Sequence, residues 1–176
     1  MPPMNSRDKG KKPEKELTFT EALGKAPTRV AKARKDGKQA LTAPHAKQVK
    51  CTDEHRWSGS LDIDAALQSD PSHAQANRWD YGLGYKAPDG TESAIWVEVH
   101  SAETSEIDVV IRKLEWLKRY LQEHCEDLWK VTLRSDASTR FVWLASGRYR
   151  IPSHMPQLKR LSSAGLAKPA SKLVLP

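Results

Sequence analysis

The clearest hydrophobic pattern is the alternation in RWDYGLGYK, where Trp79, Tyr81, Leu83 and Tyr85 are interleaved with Asp80, Gly82, Gly84 and Lys86. Period two predicts a strand. Pro88-Asp89-Gly90 follows as a turn, because proline presets φ and glycine accepts positive φ, and SAIWVEVHS resumes the apolar run. With the turn centred on Asp89, Trp79 opposes Val99, Tyr81 opposes Val97 and Leu83 opposes Ile95, an entirely apolar face. The other face then pairs Arg78 with His100, Asp80 with Glu98 and Gly82 with Trp96. The period changes in TSEIDVVIRKLEWLKRYLQEHC, which places Ile107, Val110, Ile111, Leu114, Leu117 and Leu121 at helical spacing after an N-cap at Thr104 or Ser105. VTL in DLWKVTLRS predicts a strand, and FVWLA at 141–145 predicts a buried one. Before the hairpin, LDIDAALQ after Ser60 predicts a short helix with Leu61, Ala65 and Leu67 inward. The order is helix, β-hairpin, long helix and one or two strands, an α/β fold with a mixed sheet.

Composition locates the core. All six Trp, all four Tyr and Phe141 lie between positions 57 and 149, leaving Phe19 as the one aromatic outside. We therefore expect the α/β domain at residues 51–151, a basic arm at 1–50 that is disordered or partner-dependent, and a basic, proline-containing tail at 152–176 that wraps the surface loosely or docks only through LKRLSSAGL. Residues 1–50 carry 13 Lys/Arg against 5 Asp/Glu, while 51–176 carry 16 against 17, so the basic excess belongs to the arm. Such an arm attracts phosphate backbones, anionic lipid or an acidic protein. Cys51 and Cys125 are too few for a disulfide framework and lack zinc-ligand spacing, so a reducing, cytoplasmic setting is expected. No run of about 18 apolar residues crosses a membrane, and MPPMNSRDKGKKPEK lacks the apolar stretch of a secretory signal.

Chemistry enters through the polar face of the hairpin. Two carboxylates directly opposite each other repel unless a proton or a cation lies between them, so Asp80 and Glu98 are candidates for a hard divalent ion, magnesium or manganese. His100 shares that face and is placed to ligate a metal, orient a water or contact phosphate. The plainer alternative is a pair of solvated carboxylates with an unremarkable histidine. Gly82 and Gly84 either admit a substrate backbone or mark a bulge.

These residues resemble the PD-(D/E)xK nuclease-like, or restriction-endonuclease-like, superfamily over about residues 57–146. Asp80 in RWDYGLGY matches the family's aspartate, Glu98 in IWVEVHSA its acidic position, and His100 stands where the family has lysine. No proline precedes Asp80. The resemblance implies a divalent-metal-dependent hydrolase of nucleic-acid phosphodiesters, with Asp80 and Glu98 holding magnesium or manganese and His100 orienting the attacking water. Lys113 on the following helix is a candidate to project into the site, and Asp62 or Asp64 to complete the metal shell. The substituted lysine position keeps a second class open, a catalytically inactive nuclease-like subunit that binds nucleic acid or protein within an assembly. A third is a plain nucleic-acid-binding module whose exposed Trp or Tyr residues stack on bases. Cys125 follows His124, but adjacent side chains on a helix diverge, so they form no nucleophile–base pair.

Overall fold

The computed structural model describes residues 15–176. Thr18 caps α1 (Phe19–Gly24) in a capping box: its hydroxyl accepts the Glu21 N–H, and the Glu21 carboxylate accepts the Thr18 N–H. There follow α2 (Thr28–Lys32), β1 (Arg34–Lys35), α3 (Ala43–Ala46) and β2 (Val49–Cys51). The central part comprises β3 (Trp57–Asp62), α4 (Ile63–Leu67), β4 (Tyr81–Lys86), β5 (Glu92–His100), α5 (Ile107–His124), α6 (Glu126–Leu133) and β6 (Phe141–Ala145). The chain closes with α7 (Gln157–Ala164) and β7 (Leu173–Leu175).

Five strands form a mixed sheet in the order β1-β3-β4-β5-β6; only the β5–β6 pair is parallel, with α5 and α6 on the connection between them. β4 and β5 pair from Tyr81 onward in the register read from the sequence, Tyr81 with Val97, Gly82 with Trp96 and Leu83 with Ile95, but Trp79 leaves the expected apolar face and is buried on the other side of the sheet from Val99. Gly90 takes a φ of +90° in the turn, and Asp89 Oδ1 accepts the Thr91 N–H.

The sheet is covered on both faces. One face carries Leu61, Ala94, Trp96, Phe141 and Trp143 and packs against α1, α5, α6 and α7. The other carries Tyr81, Leu83, Ile95, Val97 and Leu144 and is closed by Leu41 and by Val49, Leu173 and Leu175 of the parallel β2–β7 ribbon. A register shift between Trp57 and Gly59 puts Trp57 on the ribbon face beside Tyr85, while Leu61 stays on the helix face.

Several expectations are corrected. The segment read as a helix from Ser60 is a strand through Asp62, because Ser60 and Leu61 pair with Leu83 and Gly82; the helix starts at Ile63, capped by the Asp62 carboxylate accepting the Ala65 N–H. VTL is the last turn of α6, not a strand. Leu128, Val131 and Thr132 face inward at helical spacing, and tertiary packing overrides the β preference of Val and Thr. Residues 15–50 of the expected arm are folded onto the domain, with Phe19, Leu23 and Val30 fully buried; residues 1–14 lie outside the described ones. The tail docks through Leu158, Leu161 and Leu166 as LKRLSSAGL suggested, and also adds β7.

Gly82 and Gly84 do not open a path to substrate. A Cβ at Gly82 would sit 2.7 Å from the Trp96 ring, and one at Gly84 2.7 Å from the Phe19 ring. Both glycines exist to let aromatic rings lie flat on the sheet. Trp96 is fully buried beneath α6, where its indole N–H donates to Thr132 Oγ1 at 2.9 Å. Among the described residues, no helix is long and apolar enough to cross a membrane.

Candidate active site

At the end of the hairpin opposite its turn, the β4–β5 ladder stops at Tyr81 and Val97, and side chains take over the pairing. Asp80 Oδ2 accepts the Val99 N–H at 3.0 Å, and Glu98 Oε2 accepts the Asp80 N–H at 3.1 Å. Each carboxylate is thus fixed by backbone of the other strand. Charge-assisted bonds of this kind are the strong ones, so the two groups are held close despite their repulsion.

The compensating charge comes from α5. Lys113 follows Val110 by three positions and precedes Leu114, so it flanks the buried stripe, and its stem runs along the apolar surface to deliver the ammonium to the carboxylates. Its Nζ donates to Glu98 Oε1 and lies 3.6 Å from Asp80 Oδ1. The side chain of Glu98 is 0% exposed and those of Lys113 and Asp80 are 17% and 21% exposed, so the cluster is open to solvent from the Asp80 side.

Burial pushes the Glu98 carboxyl up to about 8; Asp80 beside it adds to the rise, and Lys113 opposes it. For Lys113, burial acts to lower the pKa, but the facing carboxylates of Glu98 and Asp80 outweigh it and hold the ammonium above its ordinary value. Asp62 is raised by its own burial and by the negative charge of Asp64 and Asp80, against the Ala65 N–H that it accepts. The hairpin end is therefore a site with more acidic groups than one lysine could neutralise if all were ionised.

His100 bridges from the pair to a partner that sequence reading missed. Its Nε2 is 2.6 Å from Glu106 Oε2, in the single 3-10 turn leading into α5, while Nδ1 is 3.6 Å from Glu98 Oε1. Nothing in the spacing of Glu106 signalled this contact, which depends on how the chain turns between β5 and α5. A second missed pair is His45 and Tyr81: His45 Nδ1 is 2.9 Å from the Tyr81 hydroxyl. Burial raises that hydroxyl's pKa, and the charges of Asp62 and Asp80 raise it further.

The structure thus brings Asp80, Glu98, His100 and Lys113 together, with Asp62 within electrostatic reach. Asp64 is engaged elsewhere, accepting from Arg78 Nε at 2.9 Å. Among the described residues, no group of three or more His, Cys, Asp or Glu is arranged to hold a metal ion. The donor chemistry of Asp80 and Glu98 nonetheless suits a hard cation, and the position between them is already occupied by a cationic group, the Lys113 ammonium. Comparison with family models, curated proteins and solved structures finds no match to this chain.

Proposed function

We propose that the chain is a divalent-metal-dependent nuclease-like hydrolase of nucleic-acid phosphodiesters, built on a restriction-endonuclease-like core. The observation that carries this reading is the meeting of Asp80, Glu98 and Lys113, from two strands and the following helix, at one partly open end of the sheet. The antiparallel run β3-β4-β5, followed by α5 and then by β6 parallel to β5, supports the same reading. A carboxyl perturbed as Glu98 is, with a second acid and a lysine at the same place, is also what an active site needs, since a structural ion pair does not require the second acid.

Magnesium or manganese, held by Asp80 and Glu98, would supply Lewis acidity toward the phosphate and lower the pKa of a water. Lys113 contributes the positive charge that the resembling family takes from the position of His100. The His100 imidazole, oriented by Glu106, is set to hold a water or a phosphate oxygen. Cleavage of single-stranded DNA, duplex DNA and RNA with magnesium and with manganese, by wild type and Glu98→Ala, tests the proposal. Metal-dependent cleavage abolished by the substitution is expected; equal activity in both proteins, or none on any substrate, contradicts it.

The complete burial of Glu98 beneath Lys113 favours a second reading, a nuclease-like subunit without catalysis that binds nucleic acid or protein in an assembly. In that case neither magnesium nor manganese shifts the melting temperature. A metal-induced rise that disappears in Asp80→Ala excludes it.

A further inference from the structure

β6 lies parallel to β5 with Ala145 beside His100, so the chain leaving β6 emerges next to the candidate site. The Ser146 N–H donates to the His100 carbonyl at 3.0 Å, the Arg150 N–H donates to the Ala102 carbonyl at 2.9 Å, and Ile151 is buried directly afterwards. Residues 146–150 form a short loop pinned at both ends, and every one of them is exposed. Its sequence is Ser-Gly-Arg-Tyr-Arg. Tyr149 is 43% exposed, one of three large hydrophobic residues so exposed among the described residues.

We propose that this loop binds single-stranded nucleic acid, with Tyr149 stacking on an unpaired base and Arg148 and Arg150 holding the neighbouring phosphates. The proposal rests on the reading of the adjacent site as one that acts on phosphodiesters, and it names the form of substrate that site receives. An exposed phenol ring offers stacking area only to a base that is not already stacked within a duplex. Flanking guanidinium groups match phosphate geometry.

Charge points the same way. Asp136 is the last acidic residue of the sequence, and seven Lys/Arg follow it. Arg148 has neither an ion pair nor a hydrogen bond among the described residues, while the one carboxylate facing Arg150, that of Glu103, lies 3.6 Å away with both side chains largely in solvent. Two further exposed lysines adjoin residues anchored at that end of β6. The Gln48 amide donates to the carbonyls of both Ala145 and Ser171, which sets Lys47 and Lys172 beside the end of β6. A basic, aromatic-bearing rim next to an acidic cluster suits a polyanion that is gripped beside the point where it is cut.

The test is fluorescence anisotropy of the full chain in EDTA with a labelled oligodeoxythymidine and with an abasic strand of equal phosphate count. Tyr149→Ala is expected to weaken thymidine binding about 5- to 100-fold and to leave the abasic strand unaffected, with Tyr149→Phe behaving as wild type. Arg148→Ala should weaken both strands and lower the salt slope by about 0.7. Lys25→Ala, at the C-cap of α1 where Lys25 faces Asp127, is the control and should change neither. No binding by wild type, or a Tyr149→Ala loss equal on both strands or no larger than that of Lys25→Ala, overturns the proposal, as it would if the loop served an acidic protein instead. Because EDTA removes any need for catalysis, intact Tyr149-dependent binding without cleavage would leave this surface standing while the hydrolase reading fell. Cleavage by wild type with unchanged binding in Tyr149→Ala would do the reverse.

Discussion

Glu92 and Glu98 lie at the two ends of β5, and what surrounds each is different in kind. Glu92 Oε1 accepts from the Phe19 N–H at 2.7 Å and from the Ser58 hydroxyl at 2.9 Å, both neutral donors, and so ties α1 and β3 to the start of the strand. Glu98 is met by an ammonium, by a backbone N–H and by the negative Asp80, with His100 close by. A carboxylate that only joins elements needs donors that satisfy it. One placed among other charges, at a conformational and desolvation cost, is what chemistry requires. The same residue type on one strand therefore marks a structural tie at one end and a candidate site at the other.

The sharpest way to break this contrast is Lys113→Met, which leaves Glu98 and Asp80 facing each other without a cation. Urea denaturation at about pH 9, above the pH at which Glu98 gives up its proton, should show a loss of about 3–5 kcal/mol, partly restored by manganese if the carboxylates take a metal. A more gradual effect appears in the pH dependence. Glu98 ordinarily titrates near 4.5 but keeps its proton to about 8 in the folded chain, so between these values the native state binds more protons than the unfolded one. Stability contributed by Glu98 must then fall as pH rises through that window, by at most about 1.4 kcal/mol per unit. Lys113, held above its ordinary 10.5, titrates outside it. Chemical denaturation at stepped pH should show this slope in wild type and its flattening in Glu98→Gln; parallel curves would contradict the assignment. Glu92→Ala comes last, costing about 1–3 kcal/mol through two lost hydrogen bonds.

How much of this was legible follows from how local each signal is. The hairpin register was readable because a turn with defined chemistry sits between two period-two runs, and that register alone put Asp80 opposite Glu98. Lys113 was visible as a helical residue flanking the apolar stripe, although which side chain it would meet depended on how α5 lies across the sheet. β3 was obscured by its two serines and by the shift between Trp57 and Gly59, which breaks the alternation that would have announced it. The helices between residues 15 and 50 are four to six residues long, too short for periodicity to register, and each contributes few apolar positions. Glu106 meets His100 and His45 meets Tyr81 only because of how the intervening chain folds back, which one sequence does not encode in any spacing.

The central claim is that Asp80 and Glu98 together form a cation site, as Glu92 does not. Titrating manganese at about pH 8, where Glu98 gives up its proton, and following the free ion by electron paramagnetic resonance tests it directly. Wild type and Glu92→Ala should each bind manganese, with affinity falling more than about 10-fold in Asp80→Asn. Wild type that binds no manganese, or Asp80→Asn that binds it as tightly as wild type, would contradict the account.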